Sequence, residues 1–150
     1  MHTNTIYNFP LVSALISMIL AQVIKVPLNL FRNGTWNSAL AFSTGGMPSS
    51  HSAAAASLAA SVGIINGFDS SLFAIASVVC AITMYDAAGV RRHAGMHAAL
   101  LNRISNNLSQ ITKDETPGVQ LKELLGHQPL EVLAGLVLGV AISFILNTIF

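Results

Sequence analysis

The chain has 150 residues, of which 53% are hydrophobic and only 9% are charged, and its formal net charge at pH 7 is +1. A soluble domain of this length carries about 25% charged residues, because polar groups must cover a large surface. The composition therefore excludes an ordinary soluble domain and favours a single integral membrane domain over residues 1–150, and the near-neutral charge gives no reason to expect a nucleic acid partner.

Four apolar segments have about the length that a membrane-spanning helix needs. The second of them is weakly hydrophobic but rich in Ala, Gly and Ser, which suits close packing inside a bundle. A connecting segment, 95–108, has the pattern of an amphipathic helix. We therefore predict an all-α fold, a polytopic membrane helical bundle of about four transmembrane helices plus one amphipathic connecting helix. The predicted spans are 9–26, 50–68, 71–89 and 130–150.

The order of these spans places both long polar connections, 28–49 and 90–129, on the same side of the membrane. The short link at 66–70 lies on the other side. Every basic residue falls on the side of the long connections, so the positive-inside rule predicts that this side is cytoplasmic and that the protein is a multi-pass protein of the cell membrane. These residues are Lys25, Arg32, Arg91, Arg92, Arg103, Lys113 and Lys122.

Polar residues stand at all four span ends on this basic side, and their types suggest that they bind an anion. Lys and Arg side chains donate to phosphate oxygens. Helix N-termini add free backbone N–H groups and a positive dipole end. These polar residues are Lys25 and Arg32 at the end of the first span, Pro48-Ser49-Ser50-His51 at the start of the second, Asp86, Arg91 and Arg92 at the end of the third, and His127 and Glu131 at the start of the fourth.

The spacing of His127 and Glu131, four residues apart, places both on one face of a helix. A carboxylate beside an imidazole fixes its tautomer, and an imidazole so oriented is a nucleophile toward phosphorus. A second histidine, His51, is then available to protonate the leaving oxygen. The chain has one cysteine, Cys80, and "HQPLE" lacks the H-E-x-x-H spacing of a zinc site. We expect no metal and no cofactor.

These motifs resemble those of the type 2 phosphatidic acid phosphatase and vanadium-dependent haloperoxidase superfamily, specifically its divergent small-membrane-protein branch. The superfamily's first motif is K-x6-R-P, matched by Lys25 and Arg32 with Asn33 in the proline position. The second is P-S-G-H, matched at 48–51 with Ser50 in the glycine position. The third is S-R-x5-H-x3-D, matched by His127 with Glu131 for Asp.

The resemblance implies a role for each matching residue. His127 is expected to be the phosphorus nucleophile, oriented by Glu131, and His51 the general acid. The phosphate oxygens are expected to be held by Lys25, Arg32, Ser49, Ser50, Arg91 and Arg92. The reaction implied is metal-independent hydrolysis of a lipid or isoprenoid phosphate or diphosphate through a phosphohistidine.

Alternatives remain at this stage. The third-motif arginine is missing, because Leu121 stands in its place; Arg91 and Arg92 are the favoured substitutes, and Lys122 is another. His97, six residues after Arg91, is a weaker candidate nucleophile, since Leu101 stands where its carboxylate would be. The chain is also consistent with a non-catalytic binder or carrier of an anionic lipid and, less well, with a vanadate-dependent oxidant enzyme. A pocket with so few helices is closed by the amphipathic connection or by a second copy of the chain in a homo-oligomer.

Overall fold

The computed structural model describes residues 8–34, 45–112, 120–123 and 126–149, without the side chains of residues 32, 33 and 109–112. Every regular element in these residues is a helix, which confirms the predicted all-α class. The helices are α1 Phe9–Asn33, α2 Ser50–Asn66, α3 Ser71–Ala88, α4 Val90–Thr112 and α5 Pro129–Asn147.

Three helical segments within the described residues are long and apolar enough to cross a membrane: Phe9–Phe31, Ser71–Leu108 and Pro129–Asn147. The fourth predicted span, 50–68, corresponds to α2, which has only 17 residues and a length of about 26 Å. It packs against α1, α3 and α5. Because α2 faces protein on several sides, its surface does not need the large apolar residues that a lipid-facing helix presents.

All nine buried residues of α2 are Ala, Ser or Gly, as expected for an inner helix. Two glycines of α5, Gly135 and Gly139, lie against it. A Cβ atom at Gly135 would overlap the carbonyl oxygen of Ser49, and one at Gly139 would overlap that of Ala53. The two helices therefore run parallel and in close contact. The G-x-x-x-G spacing, a known signal for such packing, indicates this contact, and the sequence prediction did not use it.

A cluster of three buried hydroxyl groups joins α1, α2 and α5. The Oγ atom of Ser57 lies 2.7 Å from that of Ser13 and 2.9 Å from that of Ser143. The Oγ atoms of Ser13 and Ser143 are 3.1 Å apart. Hydrogen bonds of this kind between membrane helices contribute about 0.6 kcal/mol each on average, so the cluster adds modestly to the packing of the small residues.

Two helices extend beyond their predicted bounds. The first span was predicted to end at residue 26, but α1 continues through Pro27 and ends where Gly34, at φ +66°, donates its N–H to the carbonyl oxygen of Leu30. The amphipathic helix was predicted over 95–108, but α4 covers Val90–Thr112. It begins early because the N–H of His93 donates to the carbonyl oxygen of Gly89, so helical hydrogen bonding resumes directly after α3.

Backbone hydrogen bonds hold three helix ends together at one end of the bundle. The N–H of Ser49, before α2, donates to the carbonyl oxygen of Glu131 in the first turn of α5, at 2.9 Å. The N–H of His127 donates to the carbonyl oxygen of Ala87 at the end of α3, also at 2.9 Å. The last part of α1 reaches the same end, because Lys25 lies beside Gly46. The topology inferred from the sequence brings these ends together in the same way.

Candidate functional site

His127 stands immediately before α5 and is only 3% exposed. Its Nδ1 atom lies 3.1 Å from the Oε2 atom of Glu131, one turn into the helix. The same oxygen accepts the backbone N–H of Gln128 at 3.1 Å, which caps the helix. An ionised carboxylate only accepts hydrogen bonds, so it pairs with an Nδ1–H of His127, and in a neutral ring the lone pair is then on Nε2.

The segment before His127 is fixed by a close backbone contact. Gly126 has φ +83°, a conformation that glycine adopts without a steric penalty. A Cβ atom there would overlap the backbone of Arg91 and Arg92 in the first turn of α4. Together with the hydrogen bond from His127 to Ala87, this contact sets the position of the imidazole relative to α3 and α4.

His51 occupies the first turn of α2, with its ring exposed to solvent. Its ring centroid lies 6.5 Å from that of His127, with an angle of 58° between the ring planes. The positive charges of Arg91 and Lys25 lie close enough to act on His51. A small cavity of about 60 Å³ lies at these rings. The described residues that line it are His51, Thr83, Asp86, Ala87, Arg91, Gly126 and His127.

The two serines before His51 are both buried, but they are placed differently. Ser49 is the N-cap of α2, and its Oγ atom accepts the N–H of Ser52 at 3.4 Å and the hydroxyl of Ser52 at 3.0 Å. Ser50 is the first residue of the helix. The first turn of a helix has N–H groups without intrahelical acceptors, so this end of α2 offers backbone donors to an anion.

Lys25 is almost completely buried in α1, with 3% exposure, and its charge interacts with Glu131. A buried cation in a membrane helix is costly and is usually retained for a function. Arg32 belongs to the last turn of α1, but its side chain lies outside the described residues. The predicted part of Arg32 in phosphate binding therefore stays a prediction.

The structure distinguishes between the two arginines that the sequence offered together. Arg91 lines the cavity, and its Nε atom donates to Oδ2 of Asp86 at 2.6 Å. Arg92 is exposed and contacts Gly126 through its backbone. The other sequence candidates, His97 and Lys122, are exposed and are not among the described residues that line the cavity.

Three residues of the site were missed by the sequence prediction. Ala87 lines the cavity from the last turn of α3 and Thr83 from one turn earlier, and Gly126 precedes the nucleophile candidate. Only Gly126 had a usable signal, a glycine next to a candidate site residue. Within the described residues, no group of three or more His, Cys, Asp or Glu side chains could hold a metal ion.

Comparisons with known proteins agree with the helical membrane architecture. A family model described as "Divergent PAP2 family" matches residues 6–142. The uncharacterized membrane protein YuiD of Bacillus subtilis (strain 168) is 45% identical over 152 residues, covering 95% of this chain and 96% of the relative. No solved structure matches the chain. The relative and the three apolar helical segments make this an integral membrane protein.

Proposed function

The chain belongs to the Divergent PAP2 family, and we propose that it is a metal-independent membrane phosphohydrolase that acts on a lipid or isoprenoid phosphate or diphosphate. The observation that carries this proposal is the pair of histidines at one helix-lined cavity. One ring is buried and oriented by a carboxylate, and the other is exposed 6.5 Å away.

The spacing of the two rings suits transfer of one phosphoryl group. A nucleophile in position to attack lies about 3–3.5 Å from the atom that it attacks. A general acid lies about 2.6–3.2 Å from the oxygen that it protonates. The ring centroids of His127 and His51 are 6.5 Å apart, which leaves room for one phosphoryl group between a nitrogen of each ring.

In the first step, Nε2 of His127 attacks phosphorus. The N–P bond forms, the bond from phosphorus to the lipid oxygen breaks, and His51 gives its proton to that oxygen. In the second step, His51 takes a proton from water, whose oxygen attacks phosphorus. The N–P bond then breaks and inorganic phosphate leaves. Glu131 stabilises the charge that develops on the His127 ring during both steps.

Basic side chains and backbone donors near the cavity are available to an anionic substrate. Lys25 and Arg91 supply positive charge, and the first turn of α2 supplies backbone N–H donors. Such groups stabilise the charge that builds up on phosphate oxygens in the transition state. Asp86 holds Arg91 through a hydrogen bond, which limits the movement of the guanidinium.

We also propose that this end of the bundle faces the cytoplasm across the cell membrane, because the basic residues gather there. A cysteine introduced at Thr35, with Cys80 replaced by alanine, tests the orientation. An impermeant thiol reagent added to intact cells should leave the cysteine at position 35 unlabelled. Rapid labelling from outside would contradict the proposed orientation.

Phosphate release tests the activity. The purified protein is supplied in detergent with a lipid phosphate monoester and with a prenyl diphosphate. We expect release by the native protein, near-complete loss in His127→Ala and His51→Ala, and inhibition by orthovanadate, which mimics pentacoordinate phosphorus. His97→Ala is the matched control, because His97 is exposed on α4 and should leave release unchanged.

The same samples examine the alternative of a non-catalytic lipid binder. Binding of the lipid phosphate without release, equal in the native protein and the histidine variants, would reject hydrolysis and favour the binder. Release that persists in His127→Ala would reject His127 as the nucleophile.

A further inference from the structure

Helix α4 turns its small and polar side toward the rest of the protein. Among its described side chains, those of residues 90–108, Gly95 and Ala98 are buried. Asn102, four residues further on, uses its side chain to bond both the N–H and the carbonyl oxygen of Leu121. Because residues three and four apart share a face of a helix, these positions form the inward face of α4.

The outward face of α4, made of Leu100, Leu101, Ile104 and Leu108, is apolar, and each of these side chains is more than half exposed. Ile104 lies about 160° around the helix from Asn102. Among the described helices, α4 contacts only α3. A surface helix of a soluble protein has the reverse arrangement, with its apolar side against the core. The outward face therefore suits an apolar environment outside the five helices.

Helix α4 begins at the membrane surface. Helix α3 has 18 residues and a length of about 27 Å, which by itself nearly crosses the hydrocarbon core of about 30 Å. Only Gly89 separates α3 from α4. The connection that contains α4 returns to the same end of the bundle at His127, whose N–H donates to the carbonyl oxygen of Ala87. The chain therefore leaves α3 and enters α5 on one side of the membrane, and α4 belongs to that side.

The charges of α4 are all positive. Its sequence contains Arg91, Arg92 and Arg103 and no Asp or Glu. Arg91 is held by Asp86, whereas the side chains of Arg92 and Arg103 are exposed. Arg92 and Arg103 are about three turns apart, so they lie along one side of the helix, next to the outward face. Arginines in this position reach lipid phosphates while the apolar side chains enter the leaflet.

We propose that α4 docks on an anionic lipid leaflet at the cavity end of the bundle, with its outward face among the upper acyl chains and with Arg92 and Arg103 at the headgroups. A lipid surface fits better than a second copy of α4, because the cations beside the outward face would repel those of a second copy. The proposal does not depend on the phosphate chemistry. Because Arg91 lines the polar cavity from the first turn of the same helix, docking holds the cavity at the level of the headgroups.

Quenching by brominated lipids tests the position of the outward face. In a Trp36→Phe background, a single tryptophan replaces Ile104 on the outward face or Asn106, which is also exposed but lies about 160° around the helix from Ile104. The full chain is reconstituted in vesicles of phosphatidylcholine and phosphatidylglycerol with acyl chains brominated near the headgroup. We expect stronger quenching at 104 than at 106, and the same strong quenching in Leu100→Trp, one turn earlier. Equal quenching at 104 and 106 would overturn the docking.

Charge variants test the partner. Arg103→Gln and Lys122→Gln each remove one exposed positive charge from the same polar connection, but Lys122 lies outside α4. We expect only Arg103→Gln to weaken quenching at 104, and quenching to be weaker in vesicles of phosphatidylcholine alone. Equal quenching in both kinds of vesicle would reject an anionic surface as the partner. A disulfide between two copies through Ile104→Cys in a Cys80→Ala background, with no quenching at 104, would assign the outward face to a second copy and overturn the proposal.

Discussion

The backbone N–H of Ser49 donates a hydrogen bond to the carbonyl oxygen of Glu131, at 2.9 Å, across 82 residues of sequence. It ties the start of α2, which carries His51, to the first turn of α5, which follows His127. The two histidines therefore belong to one rigid arrangement of helix ends. Changes that disturb either the carboxylate or this contact are expected to affect the candidate chemistry.

Replacing Glu131 by glutamine should lower phosphate release about 10–100-fold, the usual loss when the partner that orients a functional histidine is removed. Glutamine is of similar size, but it carries no negative charge to stabilise the His127 imidazolium. The measurement is kcat/KM for a lipid phosphate, together with thermal unfolding in detergent.

Glu123→Gln is the matched control, because Glu123 is exposed and accepts a hydrogen bond from Asn102 rather than from a histidine. It should release phosphate at the native rate. Full activity in Glu131→Gln would show that phosphate release does not need the Glu131 carboxylate.

Of the two arginines, only Arg91 lines the cavity. Arg91→Ala should therefore lower kcat/KM by about tenfold or more relative to Arg92→Ala. Both variants remove one positive charge from the same turn of α4. The comparison therefore separates a direct contact with phosphate from the general effect of charge. Equal losses would mean that neither arginine is specifically placed, and a larger loss in Arg92→Ala would reverse the assignment.

Gly126→Ala should destabilise the segment before His127. The positive φ of this residue costs a residue other than glycine about 1–3 kcal/mol, and the added methyl group overlaps the backbone of Arg92. We expect a lower thermal midpoint and a loss of phosphate release. Gly45→Ala is the control, since the space around Gly45 is open. A native midpoint in Gly126→Ala would contradict the close packing of Gly126 against α4.

Gly139→Val should push α5 away from α2, because its side chain meets the carbonyl group of Ala53. Overpacking of this kind costs about 1–3 kcal/mol, and each kcal/mol lowers the midpoint of a 150-residue protein by roughly 2–4 °C. Ala141→Val adds bulk to the same helix at an exposed position. Thermal unfolding in detergent should show a decrease for Gly139→Val only; equal midpoints would contradict the close helix contact.

Much of the helical architecture was predictable, because apolar length is a strong signal. The segments 71–89 and 130–150 correspond closely to α3 and α5. The signal failed at α1, where the predicted span ends at residue 26 and the helix continues through Pro27 to Asn33. The predicted span 50–68 coincides with α2, whose Ala and Ser residues suit burial among other helices.

That the site residues lie close together could be predicted from topology alone, since the order of the spans determines which helix ends share a side. Which side chains line the cavity could not be predicted, because it depends on tertiary contacts between residues far apart in sequence. The choice of Arg91 over Arg92 depends on which side of α4 faces the cavity. The engagement of the Ser49 hydroxyl in capping α2 is a local contact that competes with its predicted part in phosphate binding.

Trapping a covalent intermediate tests the central claim most directly. The native protein, His51→Ala and His127→Ala are mixed with a lipid phosphate labelled at phosphorus, quenched in alkali after a short time, and analysed by peptide mass spectrometry. We predict a phosphoryl group on the imidazole of His127 in the native protein and none in His127→Ala. Phosphate release by the native protein with no phosphoryl group on His127 at any time point would contradict the account.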